Sequence, residues 1–552
     1  MDWSFDLLSN EERILLRRLS IFAGGWAPEA AEVICSGDGV EASEILNLLT
    51  RLVDKSLVIA ETKGGEARYR LLETVRQHAR ERLTESGEST NAATRHRDWY
   101  LMFAEQADAK RGGPDKETSL GWLEAEHDNL RAALEWSRGR GETQATLRLA
   151  AALGRFWWRR GYWSEGRAWL EGALAMESGA SASVEARAFH VAGLLAWAQG
   201  DFSRATMLLE KSIALSQTLG DKQGVITSLV FLSDMSRDQG QSGRAVALAQ
   251  ECIALCREIG EREAVAEVLN TLGRVALDQG NYDSATASFE ECLALSREIG
   301  FKIEIAFVLN NLGETAGLRG DYERAVALLE ESLVLGRQSR HEMCIAQTLN
   351  NLGLATANRG EYGRSKALVE ESLALSRQLG DKWAIALSLS HLGLVAWYQR
   401  DDERAATLLT ESLALRREQG YKRGVAASLS ILGNVVRRRG DRKRAAAFLT
   451  ESMGLCRELG DKEGIVKSLE GLAGVAAAQR QHERAARLFG AAQAARESIG
   501  GPLPPPEQSD HDQHVALTHA GLGNIAFAAT WAEGRAMTLE QIIEYALAFE
   551  TG

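Results

Sequence analysis

Proline is almost missing from this chain of 552 residues. There are six, Pro28, Pro114, Pro502, Pro504, Pro505 and Pro506, and none in the 387 residues between Pro114 and Pro502. Proline interrupts helices and punctuates loops, so this run excludes a β-rich or loop-rich domain and predicts helix after helix. Long apolar runs are missing too, and nothing approaches the ~18–20 residues of a membrane span. The opening MDWSFDLLSNEERILL lacks the basic-then-apolar order of a signal peptide, so the expected location is cytoplasmic, with no membrane partner. Positive charge is in deficit, the net charge being −12, which argues against a general nucleic-acid footprint. Cys35, Cys252, Cys256, Cys292, Cys344 and Cys456 form no C-x-x-C pair. Cys252 and Cys292 share one repeat position, and Cys256 and Cys456 another, as small buried apolar residues do rather than ligands or nucleophiles. Neither G-x-x-x-x-G-K-[ST] nor G-x-S-x-G nor H-E-x-x-H occurs, so no enzyme, cofactor or metal site is expected. His511, His514 and His519 with Asp510 and Asp512 come nearest to a metal-binding set and read as solvated surface.

Glycine, by contrast, is abundant, with 52 residues. Thirteen of the sixteen positions at every twentieth residue from 200 to 500 are Gly, and the other three are Arg340, Arg400 and Arg480. The chain therefore repeats every forty residues in two half-units. Each half reads as a helix of roughly 15–18 residues, about 25 Å long, closed by a left-handed Gly. The first half carries a Leu-Gly pair: Leu272-Gly273, Leu312-Gly313, Leu352-Gly353, Leu392-Gly393 and Leu432-Gly433. Twelve residues after the Gly stands Ala (Ala245, Ala285, Ala325, Ala405, Ala445, Ala485) or Ser365. Small residues recurring inside helices, where they cost stability, predict close helix approach. Glu330-Glu331 and Glu370-Glu371 recur with the unit and read as architecture, not as an acid–base pair.

Leu-Gly, a Tyr near the turn (Tyr282, Tyr322, Tyr362) and then Ala, in helix–turn–helix units, resembles the tetratricopeptide repeat. The usual unit is about 34 residues and ends in proline; here it is forty and ends in Gly. The longer unit is similar to those of kinesin light chains, spindle-orientation adaptors and the bacterial maltose-regulon activator. The resemblance spans residues 141–500, nine units. It implies an all-α solenoid superhelix whose first helices line a concave face that holds a protein or peptide. The groove positions it implies are Asn270, Arg274, Asn310, Asn350, Ser390, Trp397, Tyr398, Ser430 and Asn434, with Glu314 and Asn358 beside them, and nearer the start Arg155, Trp158, Arg159, Arg187, His190 and Trp197. Asn270, Asn310 and Asn350 share one repeat position, continued by Ser390 and Ser430. Asn both donates and accepts, so the ladder is expected to clamp an extended peptide backbone. The basic cluster Arg437, Arg438, Arg439, Arg442, Lys443 and Arg444 reads as a solvated turn or as a patch for an acidic partner.

Residues 1–90 follow a different plan. Ser9-Asn10-Glu11-Glu12 is a capping box opening an amphipathic helix, a second helix follows Pro28, and a third runs from about Ser43 to Asp54. LVIAE (57–61) and RYRLL (68–72) then flank TKGGEA as a hairpin, and a helix from about Glu73 closes the set. This is the order of a winged helix-turn-helix. DWSFDLLSNEER, LVDKSLV, YRLLETVRQHARERL and WLEAEHDNLRAALEW (122–136) resemble the region after the nucleotide-binding module of bacterial STAND-type signalling ATPases, and the tail RAARLFGAAQAARESIG resembles theirs. That resemblance places an NTPase module ahead of Trp3. With no phosphate cradle in the sequence, ATP binding is not carried over: either the chain is a stand-alone relative, with any NTPase module a separate partner, or the module lies upstream of Met1 and is left out of this sequence. Residues 1–90 hold 11 basic and 16 acidic residues, and the third helix carries only Arg51, with Lys55 at its end. DNA contacts need several cations, so a regulatory role is expected over DNA reading. The expected domains are 1–90 winged helix, 91–140 helical junction, 141–500 superhelix, and 501–552 a linker and capping helices.

Overall fold

The structure, a computed structural model, describes residues 5, 7–63, 66–109, 116–176 and 179–548. Trp3, the Gly64-Gly65 tip of the expected hairpin and Pro114 lie outside them. Among the described residues there are 29 α-helices and one two-stranded sheet. Among the described residues no helix is long and apolar enough to cross a membrane. The chain divides into two compact units, Met1–Ser228 and Leu229–Gly552.

The first unit opens with the winged helix-turn-helix: α1 (Asn10–Leu19), α2 (Pro28–Cys35), α3 (Ile45–Asp54), β1 (Val58–Lys63), β2 (Glu66–Leu71) and α4 (Glu73–Glu85). The expected capping box is present: the Glu12 amide donates to Ser9 Oγ and the Ser9 amide to the Glu12 carboxylate. β1 and β2 pair antiparallel, Val58 opposite Leu71, and Trp26 adds a bridge to Tyr69. Three helices follow: α5 (Ser89–Ala109), α6 (Lys116–Ala125) and α7 (His127–Gly139). The Glu126 and Asn129 side chains tie the winged helix to α7. Asn129 accepts from the Ala23 amide and donates to the Gly25 carbonyl, both at 2.9 Å, while Arg68 and Tyr100 donate to Glu126 at 2.6 and 2.7 Å.

From Ala182 onward, helices of 17 or 18 residues alternate in pairs, the predicted solenoid. Every Gly at the twenty-residue spacing has positive φ, and so do Arg340 (49°), Arg400 (67°) and Arg480 (61°). The turn geometry is thus kept where the sequence lost the glycine. The motif glycines mark close approach. A Cβ on Gly313, Gly393 or Gly433 would lie 2.6–2.7 Å from Leu329, Leu409 or Leu449 of the paired helix.

A second ladder went unread in the sequence. Ser212, Cys292, Ser332, Ser372, Ser412 and Ser452 each donate to a carbonyl 26 residues earlier, at 2.7–3.0 Å. The two same-register cysteines therefore replace this serine, which explains their spacing. Outside, Glu330 pairs with Arg364 and Glu331 with Arg297, so the Glu-Glu pairs link neighbouring units. These exposed pairs each contribute little stability.

Within the second unit the array winds until turns far apart in sequence meet. Gly240 lies against Leu459, and Gly280 against Ile499 and Lys462. After Gly500 the chain crosses to the inner face, where Pro502 lies against Gly320. It then forms the helices Pro505–Leu522, Asn524–Ala536 and Leu539–Leu547. The last opens with a Thr538–Gln541 capping box and buries Ile542, Ile543 and Ala546 against the final repeats.

Candidate functional site

In the second unit the first helices of successive pairs, Lys302–Leu318, Glu342–Asn358, Lys382–Tyr398, Lys422–Arg438 and Lys462–Ala478, turn one face inward. They line a partly open cavity of about 260 Å³. Its wall is built from Glu314, Asn358, Trp397, Tyr398, Asn434, Arg437, Glu463 and Lys467, with Tyr282 and Tyr322 from the turns. The opposite wall is the chain's own Gly501–Pro504 stretch with Glu507, Asp510, His511 and His514.

The predicted groove residues divide into those that face this lumen and those spent inside the array. Ser390, Trp397, Tyr398, Ser430 and Asn434 line it. Asn310 and Asn350 are 1% and 0% exposed and cannot clamp a peptide. The Asn ladder instead joins neighbouring units: Asn311 donates to Asn270 at 2.7 Å and Asn351 to Asn310 at 3.1 Å. Asn270 also donates to Glu304, and Arg274 pairs with Asp234 at 3.3 Å. The reason is the register of the helix pair. The residue three before the motif Gly sits over the next unit's first helix, where an amide can bridge two units. The sequence showed the period but not which face the amide meets.

In the first unit, the Trp158 and Trp197 rings lie 5.8 Å apart and both are half-buried. Arg187 pairs with Asp108, and His190 bonds Ser228 at 3.1 Å. Arg155 and Arg159 are half-buried on the short helix Gly154–Arg160.

The basic cluster does not act as one patch. Arg437 turns into the lumen, and Arg438 pairs with Asp402 of the preceding unit and stacks over Trp397. Arg439, Arg442, Lys443 and Arg444 stay exposed. The C-terminal histidines diverge as well: His511 packs on Phe489, His519 on Phe527, and His514 meets Arg437. Among the described residues no three His, Cys, Asp or Glu side chains gather as metal ligands.

Sequence reading missed His391 and Arg416, both lining the lumen. Arg416 is 4% exposed and donates to the Gly424 carbonyl and Ser428 Oγ at 2.6 and 2.9 Å. No carboxylate pairs with it among the described residues. Burial pulls this guanidinium down to about 10. Burial, then the Arg416 charge, pulls His391 down to about 4. His391 Nδ1, Asn358 Oδ1 and Trp397 Nε1 have no hydrogen-bond partner. Buried polar groups are normally paired, and these three atoms lie unpaired inside the wall itself. Enclosure also pushes the Glu314 carboxyl up to about 7.

Comparison with known proteins matches segments in both units of the chain. A winged helix-turn-helix domain model matches residues 8–84, and tetratricopeptide repeat models match 224–298, 264–338, 344–418 and 428–463. A Mycobacterium tuberculosis protein, provisionally named an HTH-type transcriptional regulator, is 36% identical over 237 residues, 42% of this chain and 27% of its own length. An uncharacterized protein of the same species is 44% identical over 114 residues, 20% of this chain and 29% of its own. The chain thus spans under a third of the length of these curated relatives. Among solved structures it is similar to a STAND protein with a tetratricopeptide repeat sensor from Pyrococcus horikoshii (TM-score 0.49, 16% identity, 81% of this chain and 63% of that one). It is also similar to a Rap protein complexed with competence and sporulation factor (TM-score 0.49, 12% identity, 66% and 99%). The matched segments thus put a winged helix-turn-helix domain ahead of tetratricopeptide repeats in this chain, the order that its fold also has.

Proposed function

We propose that this chain is a non-enzymatic sensor or scaffold module of a STAND-like signalling system, holding a peptide or protein segment in the lumen of its second unit. The observation that carries this reading is the cavity of about 260 Å³ on the inward faces of successive first helices, lined by Ser390, Tyr398, Ser430, Asn434 and Arg437 and by the buried Arg416, which has no carboxylate partner among the described residues. An array that served only as a spacer would fill such a space with packed side chains. Native mass spectrometry of the chain, purified gently from its host, tests the reading. An added mass on the wild type that is lost in Trp397→Ala and Arg416→Gln supports it. No added mass, together with no thermal shift by size-fractionated host extract, rejects it.

A second reading, a transcriptional regulator with a DNA-reading winged helix and a ligand-sensing repeat domain, is favoured by the winged-helix fold and by the name of the mycobacterial relative. Charge speaks against it. Arg51 is the one cation on α3, while Arg17 and Arg18 pair with Glu88, Lys55 with Glu12, Arg68 with Glu126 and Arg70 with Glu61. A gel shift at low salt separates the two readings: retardation that Arg51→Ala abolishes would favour DNA reading.

A further inference from the structure

The second unit already contains something that behaves as a ligand. Residues 501–514 run along the lumen rather than over the outside. Pro502 packs on Gly320 so closely that a Cβ there would lie 2.6 Å from its ring. Arg496 donates to the Gly501 and Pro502 carbonyls at 3.4 and 3.3 Å. Tyr398 Oη donates to Glu507 at 2.8 Å, and Arg437 to Asp510 at 2.5 Å.

Arg437 is the informative partner. Its side chain is 7% exposed, and Asp510, which lies 73 residues further along the chain, is the one carboxylate paired with it among the described residues. A buried guanidinium stripped of its counter-ion is strongly destabilising, so whatever displaces this segment must bring a carboxylate of its own. The segment is also suited to displacement. Pro502 and Pro504 carry no backbone donor, so the extended residues 501–504 sit here without needing a hydrogen-bond ladder, and Glu507 and Asp510 follow on the first turns of the helix Pro505–Leu522. Proline also limits the ordering cost of binding.

Resting on the reading of the lumen as a ligand site, we propose that residues 501–514 are an internal occupant of that site, and that its external ligand is an acidic, proline-containing peptide that competes with them for Tyr398 and Arg437. The tethered copy stands at an effective concentration near the millimolar range, so the lumen is closed to weak ligands and open to an acidic peptide that outcompetes the tether.

The test uses the full chain and a dye-labelled synthetic peptide of residues 500–514, read by fluorescence anisotropy. Wild type binds it weakly. A variant with the strap loosened, Pro502→Gly with Leu503→Ser, binds at least about tenfold tighter, because its tethered competitor is weakened. Adding Tyr398→Phe and Arg437→Gln removes that gain. A peptide with Glu507→Gln and Asp510→Asn binds the loosened chain at least about tenfold more weakly. Circular dichroism checks that the loosened chain is folded, and a second loosened variant, E507Q/D510N in the full chain, reaches the same readout by a different lesion. No gain in either loosened variant, or equal binding of the neutral peptide, overturns the proposal. If the peptide fails while host extract still shifts the melting of the loosened chain, the internal-occupant inference falls and the lumen reading stands; if both fail, both fall.

Discussion

Asn350 and His391 occupy the rung at which the asparagine ladder breaks. Asn270–Asn311 and Asn310–Asn351 are bonded pairs, but the Asn350 amide makes no hydrogen bond and His391 Nδ1 makes none. The His391 ring lies against the Asn350 backbone instead. An unsatisfied buried polar group costs about 1–3 kcal/mol. His391→Asn would restore the rung and raise the stability of the second unit by about 1–2 kcal/mol. Urea unfolding checks this: the midpoint should rise with the slope unchanged.

The three arginines in left-handed turns give a second expectation. An L-residue with a side chain held there costs roughly 1–2 kcal/mol, offset in part by the extra freedom glycine brings to the unfolded chain. Arg340→Gly and Arg480→Gly should each gain about 0.5–1 kcal/mol. The reciprocal change Gly360→Arg should lose a similar amount. Thermal melts of the three variants test the sign in both directions.

Asn129 is the hinge pin of the first unit, with bonds to Ala23, Gly25 and Glu126. Asn129→Ala leaves a buried amide and carboxylate short of partners and is expected to cost about 2–3 kcal/mol. Limited proteolysis should then cut between the winged helix and α7 sooner than in wild type. Equal protection in both would mean that apolar packing alone holds the winged helix in place.

pH dependence follows from the acidic end of the second unit. Burial, then nearby carboxylates, pushes Glu267 up to about 8; burial pushes Glu304 up to about 7. Both carboxyls are therefore neutral in the fold where the unfolded chain, near the ordinary 4.5, would release its proton. Their contribution is full below about pH 4.5 and is lost as the pH rises to about 8. Glu267→Gln with Glu304→Gln should gain on wild type between pH 5 and pH 8, measured as the difference between their melting temperatures at each pH. A constant difference would reject this assignment.

The architecture was legible because it is local and repeated. Gly at twenty-residue spacing dictates left-handed turns, and Leu-Gly with Ala twelve residues later dictates close pairing; neither needs long-range information. The winged helix was legible from one capping box and one hairpin. The serine ladder was equally visible at the forty-residue period but hidden by Cys252 and Cys292, which read as apolar. The lumen was only half legible. Trp397, Tyr398 and Asn434 face it as their repeat position implied, whereas Asn310 and Asn350 turn toward the next unit. Arg416, His391 and the strap could not be read, because they meet only when winding brings distant units together.

That winding limits how the array can evolve. Repeat arrays usually lengthen and shorten by whole units, since each unit contacts only its neighbours. Here Gly240 meets Leu459 and Gly280 meets Ile499, so each turn is also fitted to one that lies five and a half units, 220 residues, further on. Removing one forty-residue unit would preserve every neighbour contact and yet slide Pro502 off Gly320 and Asp510 off Arg437. The number of units is therefore itself part of the site, as the gauge that sets which side chains the lumen brings face to face.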